Sequence, residues 1–330
     1  MTRIKDWLQV VELAVELAIR RGGGEAVEPD FVEQLHHAAV RIAERTGATL
    51  ADQLGRRFEL TAREELALWC LVAHQIDSRL ATRIEALSGG SEVTIGALVE
   101  VAFDGVAGPE ALAALGASGR LVRHALVERA DKQEVSSWIR RAVRASDRVL
   151  EVVVLAAPVP DQEVRLRATL RDGEIQIETI DEPLPIEPAI DPAATAEARR
   201  ALAIQNAVVI ASGMPGLGRR TLLASLAREA NVAVLELDAR RFARDATVLV
   251  RQLRAIAREC RLLARAPLVC HLDALVDDKA NLLELVASEL VASLDGPVLA
   301  TSRAGAPAIR WERPAIVVTL GQPTSAQRGE

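Results

Sequence analysis

The chain has 330 residues, half of them apolar and 26% charged, with a formal net charge of −6. That length accommodates two domains with separate cores, and the mild acidity excludes the global basic excess by which phosphate-neutralising proteins hold nucleic acid. No stretch approaches the ~18 uncharged apolar residues of a membrane-spanning helix, and Cys70, Cys260 and Cys270 lie in apolar runs without CxxC or zinc spacing, the pattern of reduced thiols in a cytoplasmic protein.

In the first part of the chain the apolar periodicity is helical. Ile4, Trp7, Leu8, Val11, Val15 and Ala18 recur at spacings of three and four and so share one helix face. Charges within that stretch and the lack of a small-residue cleavage site make it an amphipathic helix rather than a signal peptide. Gly22, Gly23 and Gly24 end it. A second helix is expected over 31–45, with Phe31, Leu35, Ala38 and Ile42 as its stripe and Gly47 just beyond. Thr61 and Glu64 form a capping-box pattern before the apolar run LALWCLVA. Shorter helices are expected over 94–103 and 109–115, and LVRHALVER after Gly119 suits a short strand or wing. Residues 1–148 therefore read as a compact helical bundle or, in the preferred refinement, as a mainly helical, winged-helix-like domain. Its segment 120–148 carries eight Lys/Arg against four Asp/Glu, a weak basic face that reads as solvated helix surface.

The character then changes. VRLRATLRDGEIQIETI alternates apolar and polar residues on both sides of Asp172-Gly173, a hairpin signal. Pro183, Pro185, Pro188 and Pro192 mark an extended acidic stretch. Residues 149–192 are expected to be a β-hairpin and a proline-rich linker.

From 193 onward a helix over 193–202 is followed by regular alternation of strand and helix. AVVIAS, VAVLEL, PLVCHLDA, PVLATS and AIVVTL are the apolar strands, separated by helices over 219–230, 247–264 and 279–293. Continuous apolar strands alternating with helices imply a parallel sheet of about five strands covered on both faces.

The segment Gly213-Met-Pro215-Gly216-Leu217-Gly218-Arg219-Arg220-Thr221 follows a strand and opens a helix. Glycines there let main-chain amides approach an anion closely, and the helix N-terminus attracts phosphate. This is the context of a phosphate-binding loop. The motif ordinarily continues Gly-Lys-Ser/Thr, but Arg219 stands at the lysine and Arg220 at the magnesium-binding hydroxyl. Thr221 comes one residue late, about 100° around the helix. Arginine is a planar fork rather than a compact ammonium and does not simply replace the lysine. The loop is thus expected to hold ATP or ADP weakly or without magnesium.

Some sixty residues on, LVCHLDA resembles a Walker B strand ending at Asp273, which could bind magnesium through water. The following residue, where a glutamate would polarise the attacking water, is Ala274, and loss of a general base typically costs ~10²–10⁴ in rate. His271 reads as a packed mid-strand residue. The strand VLATSR ends in Thr301, Ser302 and Arg303, where a polar residue would sense a γ-phosphate. Arg310 and Arg313 precede the last strand, where an arginine finger would come from a neighbouring subunit, but in an arginine-rich chain they read as surface decoration.

With these elements placed, the chain resembles AAA+ ATPases. It is similar to large bacterial AAA-family proteins with an N-terminal winged-helix-like domain, including those of contractile injection system clusters. The segments that carry the likeness are LADQLGRRFELTAREELALWCLVAHQIDSRL, GMPGLGRRTLL, CHLDAL and VLATSR; the 160–190 hairpin has no counterpart in it. The resemblance implies an α/β AAA+-type P-loop domain over 193–330 with a degenerate nucleotide site. In the family such a domain often precedes a second, intact one. The chain stops at GQPTSAQRGE, where the helical lid would begin, so it is expected to be a fragment or a shortened relative. The implied function is a pseudo-ATPase assembly module that packs into a homo-oligomeric ring and binds protein partners, away from membranes and nucleic acid. Two alternatives stay open: an active AAA+ ATPase that remodels proteins, and a winged-helix DNA-binding regulator with a P-loop signalling domain.

Overall fold

Two units make up the chain, Met1–Val159 and Pro160–Glu330. The computed structural model describes residues 2–26, 29–43, 47–130, 137–171, 174–180, 192–276, 282–303 and 310–321. The Asp172-Gly173 turn, the linker prolines 183, 185 and 188 and the start of the helix expected at 279 lie outside the described residues.

In the first unit α1 (Thr2–Gly22) buries Trp7, Val11, Val15 and Ala18 as the spacing predicts, together with Val10 and Ala14. α2 (Pro29–Ala43) starts earlier than its apolar stripe because Pro29 suits the first helical position, where no N–H is required. α3 (Leu50–Arg57) and α4 (Ala62–Ile76) both begin with capping boxes. Thr49 Oγ1 accepts from Asp52 N at 3.2 Å while Asp52 Oδ2 accepts from Thr49 N at 3.1 Å. Thr61 and Glu64 do the same at 3.2 and 2.8 Å. A cap of this kind stabilises a helix start by about 1 kcal/mol. Every residue of α4 from Glu64 to Ala73 is buried, so α4 is the central helix, packed against α1, α2, α5 (Ser78–Ser88) and α6 (Ile95–Ala102). At its middle Trp69 stacks on Trp7, ring centroids 5.8 Å apart.

α7 (Pro109–Leu115) and α8 (Arg120–Arg123) follow. The stretch that suited a strand divides, because only its second half, β1 (Val127–Arg129), is extended. β1 pairs antiparallel with β2 (Val143–Ala145), and Thr94 forms a further bridge with Ala142, beside the pair. α9 (Asp147–Val154) and the residues after it also belong here: Leu50 N donates to Ala157 O at 2.9 Å and Thr49 bridges Pro158. The unit thus runs past 148.

The second unit is a sheet flanked by helices: β3 (Leu166–Arg171), β4 (Glu174–Thr179), α10 (Pro192–Leu202), β5 (Val208–Ser212), α11 (Arg219–Glu229), β6 (Val234–Asp238), α12 (Ala246–Leu263), β7 (Ala266–Cys270), α13 (Leu282–Ser293), β8 (Val298–Ser302) and β9 (Ala315–Thr319). The strand order is β4-β3-β6-β7-β8-β5-β9. The five strands expected from the alternation are mutually parallel, and β8 separates β7 from β5. The sheet has seven strands rather than five and is mixed rather than parallel. The hairpin β3–β4 is no separate linker element: β3 runs parallel to β6, with Leu166 opposite Leu235 and Arg167 opposite Glu236.

The alternation of the hairpin explains this docking. Residues opposite one another on neighbouring strands point to the same face. Arg167 is in line with Glu236 and Glu236 with Leu268, whose side chain lies in the core beneath α10 and α11. Arg165, Arg167 and Thr169 therefore edge that face, while Leu166 and Ala168 are buried on the other. The crossover β5-α11-β6 runs toward the hairpin and β6-α12-β7 runs away from it. Right-handed crossovers in opposite directions place α11 and α12 on opposite faces, and α12 packs against β4 and β7.

Candidate functional site

The C-terminal ends of β5, β6, β7 and β8 lie along one edge of the sheet, the edge at which open α/β sheets bind ligands. β5 ends at Ser212, and the loop 213–218 leads into α11. Gly213 N donates to Ser302 O at 3.3 Å, and a Cβ on Gly213, at φ 156°, would crowd Leu320 O at 3.0 Å, so a side chain there would be strained. Gly218, the N-cap of α11, has φ 73° and ψ 20°, a left-handed conformation that glycine adopts without strain. It supplies no side-chain cap, which leaves the first-turn amides of α11 facing the loop. Leu217 packs against the core beneath, and Met214, Pro215 and Gly216 are exposed.

Arg219 does not reach over the loop as a phosphate-binding lysine would. Its side chain is buried and its Nη1 donates to the Ser302 carbonyl at the end of β8. Burial, and then the neighbouring Arg303 charge, push its pKa below the usual arginine value, with Asp273 opposing them; it remains a cation at neutral pH. Arg220 turns the other way, toward β6, where its Nη1 lies 3.6 Å from Glu236 Oε2. Glu236 is 2% exposed, and its Oε1 accepts from Arg165 Nη2 at 2.5 Å. A buried carboxylate so held between two guanidiniums links the hairpin to the loop helix. Thr221 is half-buried on α11 and lines the same cleft.

At the end of β7 two expectations are corrected. The strand stops at Cys270, so His271 is not a mid-strand residue: its φ of 60° is left-handed and its N–H goes to Thr301 Oγ1 at 3.0 Å. Asp273 does not end a strand but sits in the 3-10 turn Leu272–Leu275 that follows. Its Oδ1 accepts from Arg303 N at 2.9 Å, and its Oδ2 lies 3.2 Å from Arg303 Nε. Ala274 O accepts from Arg244 Nη1 at 2.6 Å. The three residues expected as sensors, Thr301, Ser302 and Arg303, thus bind His271, Arg219 and Asp273. Burial, and then Arg240, lower the pKa of His271, which keeps it neutral at pH 7.

These residues do not fit a magnesium–nucleotide complex of the expected kind. The hydroxyl position is an arginine paired with Glu236, the metal-facing carboxylate is tied to Arg303, and the carboxylate for water activation is replaced by Ala274. Among the described residues no group of three or more His, Cys, Asp or Glu is placed to hold a metal ion. Arg313 donates to the carbonyls of Val291, Leu294 and Gly296 and so caps the end of α13, instead of projecting outward as a finger would. Arg310 is exposed.

Sequence reasoning passed over a cleft of about 450 Å³ between the first turn of α11 and the ends of β3, β6 and β7. Its lining carries five arginines against two carboxylates, Glu236 and Asp238. Burial alone would raise the pKa of Asp238, but hydrogen bonds from the Arg240 side chain and main chain outweigh that and lower it. The missed signal was Glu236, a charged residue inside the otherwise apolar run VAVLEL. A buried charge requires a partner, and here the partners come from the hairpin and the loop helix.

In the first unit three arginines of the basic stretch are paired with carboxylates. Arg120 binds Glu59 O and Glu64, Arg144 lies beside Glu128 and Asp147, and Arg148 bonds to Glu151. Among the described residues no helix is long and apolar enough to cross a membrane.

A family model described as "Winged helix domain, variant" matches residues 4–165. No curated protein matches the chain. The matched span holds the helices α1 to α9 and the β1–β2 pair. The chain carries an N-terminal winged-helix domain, followed by an α/β domain of P-loop-like build.

Proposed function

We propose that this protein is an AAA+-type assembly module whose nucleotide site has lost catalysis, with the P-loop-like domain serving as a scaffold in a ring and the winged-helix domain binding a protein partner. The strand order supports the AAA+ reading: in order of succession along the chain, the five parallel strands run 5-1-4-3-2 across the sheet. The observation that carries the loss of catalysis is the Arg219–Ser302 hydrogen bond. The residue at the catalytic-lysine position is held by the protein's own main chain, and Asp273 is likewise held by Arg303. Hydrolysis would require both to be released toward a ligand. The pairing of Arg120, Arg144 and Arg148 with carboxylates favours a protein partner over duplex DNA.

The test is steady-state turnover of the purified protein with magnesium-ATP, for wild type and for the Arg219→Lys/Ala274→Glu double variant. Wild type is expected to be silent. Turnover of about 1 s⁻¹, at the low end of typical enzymes, that is lost in Asp273→Ala would replace the scaffold by a remodelling ATPase.

A further inference from the structure

We propose that the cleft beside the loop is a metal-independent site for a multiply charged phosphate chain, in which arginines from the β3–β4 hairpin and from the turn after β6 take the place of magnesium. The inference deepens the scaffold reading and rests on its view that the magnesium site is lost.

Three observations converge. First, the cleft is walled on one side by the uncapped start of α11 and Gly216 and Gly218, where main-chain amides favour an anion. Second, the opposite wall is cationic. Arg167 on β3 and Arg241 in the turn 239–241 both line the cleft, and Arg220 enters it from α11 with its side chain 42% exposed. Arg240 is neutralised by Asp238, which it grips with Nε and Nη2 at 3.0 and 2.7 Å, and Glu236 is shared between Arg165 and Arg220. The lining therefore keeps a positive excess after its own carboxylates are counted. Third, Arg220 stands 3.6 Å from Glu236 Oε2, beyond hydrogen-bonding distance, whereas Arg165 bonds to Oε1 of the same carboxylate at 2.5 Å. An anion drawing Arg220 outward would find this carboxylate still held by Arg165.

The same geometry selects the ligand. Arg167 sits in register between Glu178 on β4 and Glu236 on β6, and Thr169 Oγ1 donates to Glu178 Oε1 at 3.2 Å. A single negative charge gains little beside these carboxylates. A chain of two or three phosphates in this cleft would meet several of its lining guanidiniums at once, the anion geometry that arginine suits best. Magnesium on the phosphates would compete with those guanidiniums.

The experiment is calorimetric titration of the full chain with sodium tripolyphosphate at low salt in EDTA, repeated with ATP, with added magnesium, and with the variants Arg167→Ala and Arg241→Ala. Binding in EDTA is expected, weakened by salt and by magnesium, and about tenfold weaker in each variant. Arg241 is on an exposed turn, so its variant reports on the site even where the strand substitution disturbs folding. Equal affinity for ATP and tripolyphosphate assigns recognition to the phosphate chain alone, and tighter binding of ATP assigns a nucleotide; both sustain the site. The proposal is overturned if millimolar tripolyphosphate gives no binding, if binding requires magnesium, or if Arg241→Ala binds as wild type does. Magnesium-ATP turnover would overturn the scaffold reading, whereas absence of turnover with no metal-free binding would overturn this one alone.

Discussion

The Arg219 guanidinium and the Ser302 carbonyl meet at the point where β5 gives way to the loop, and the same carbonyl also accepts the Gly213 N–H. One main-chain oxygen thus anchors both ends of the loop, its first glycine and the first residue of α11. A loop held in this way is fixed by the protein's own main chain, and its cation is internal to the fold.

Replacing Arg219 by alanine removes a charge-assisted hydrogen bond from a buried setting. Such bonds contribute about 1.5–3 kcal/mol, so urea unfolding of the second unit should shift by that amount. Arg219→Lys should recover part of the loss, because an ammonium can still donate to the carbonyl but without the planar fork. A melt for Arg219→Ala within about 0.5 kcal/mol of wild type, the range of inert surface changes, would show that the contact holds nothing together.

Glu236 is the more consequential charge. Arg165, whose side chain is 16% exposed, bonds to it directly, while Arg220 is 42% exposed and can turn to solvent. Glu236→Ala should therefore destabilise by about 3–5 kcal/mol, the cost of leaving a buried partner uncompensated. The double variant Glu236→Ala/Arg165→Ala should recover much of it. Denaturant titration of the three proteins measures the coupling. Additive effects of the two substitutions would mean that the ion pair is not what docks the hairpin onto β6.

The three cysteines offer a check on both cores. Burial pushes the Cys70 and Cys270 thiols up to about 12, and Cys260 also upward, through burial and then the neighbouring Glu259. At pH 8 all three are protonated in the folded chain and should not react with a thiol reagent, whereas all should react in denaturant. The linkage has a definite sign: a thiol whose folded pKa is raised contributes stability below its unfolded pKa and loses it as pH rises toward the folded one. Stability should accordingly fall between about pH 9 and pH 12. Rapid modification of one thiol in native protein would reveal that its core opens.

Local rules carried the sequence reading as far as they reach. The stripe of α1, the Thr61–Glu64 capping box, the five apolar strands and the glycines before α11 are set by residues within a few positions of one another, through helical and strand periodicity, side-chain capping and backbone freedom. Arg219 and Arg220 were equally legible as departures from a phosphate-loop pattern, and Ala274 as a departure from the Walker B pattern. Tertiary structure alone decided what those departures became. Ser302 is 83 residues from Arg219 and Glu236 is 71 from Arg165, so no local pattern announces either pairing. The hairpin reads as an isolated pair because its alternation specifies one buried face but not which strand will cover its edge. Only when β6 offers a parallel edge and a buried carboxylate in register does Arg167 arrive at the cleft. A charge in a strand declares that a partner must exist; the fold chooses which one, because desolvation is compensated only by groups that the chain path brings within hydrogen-bonding distance.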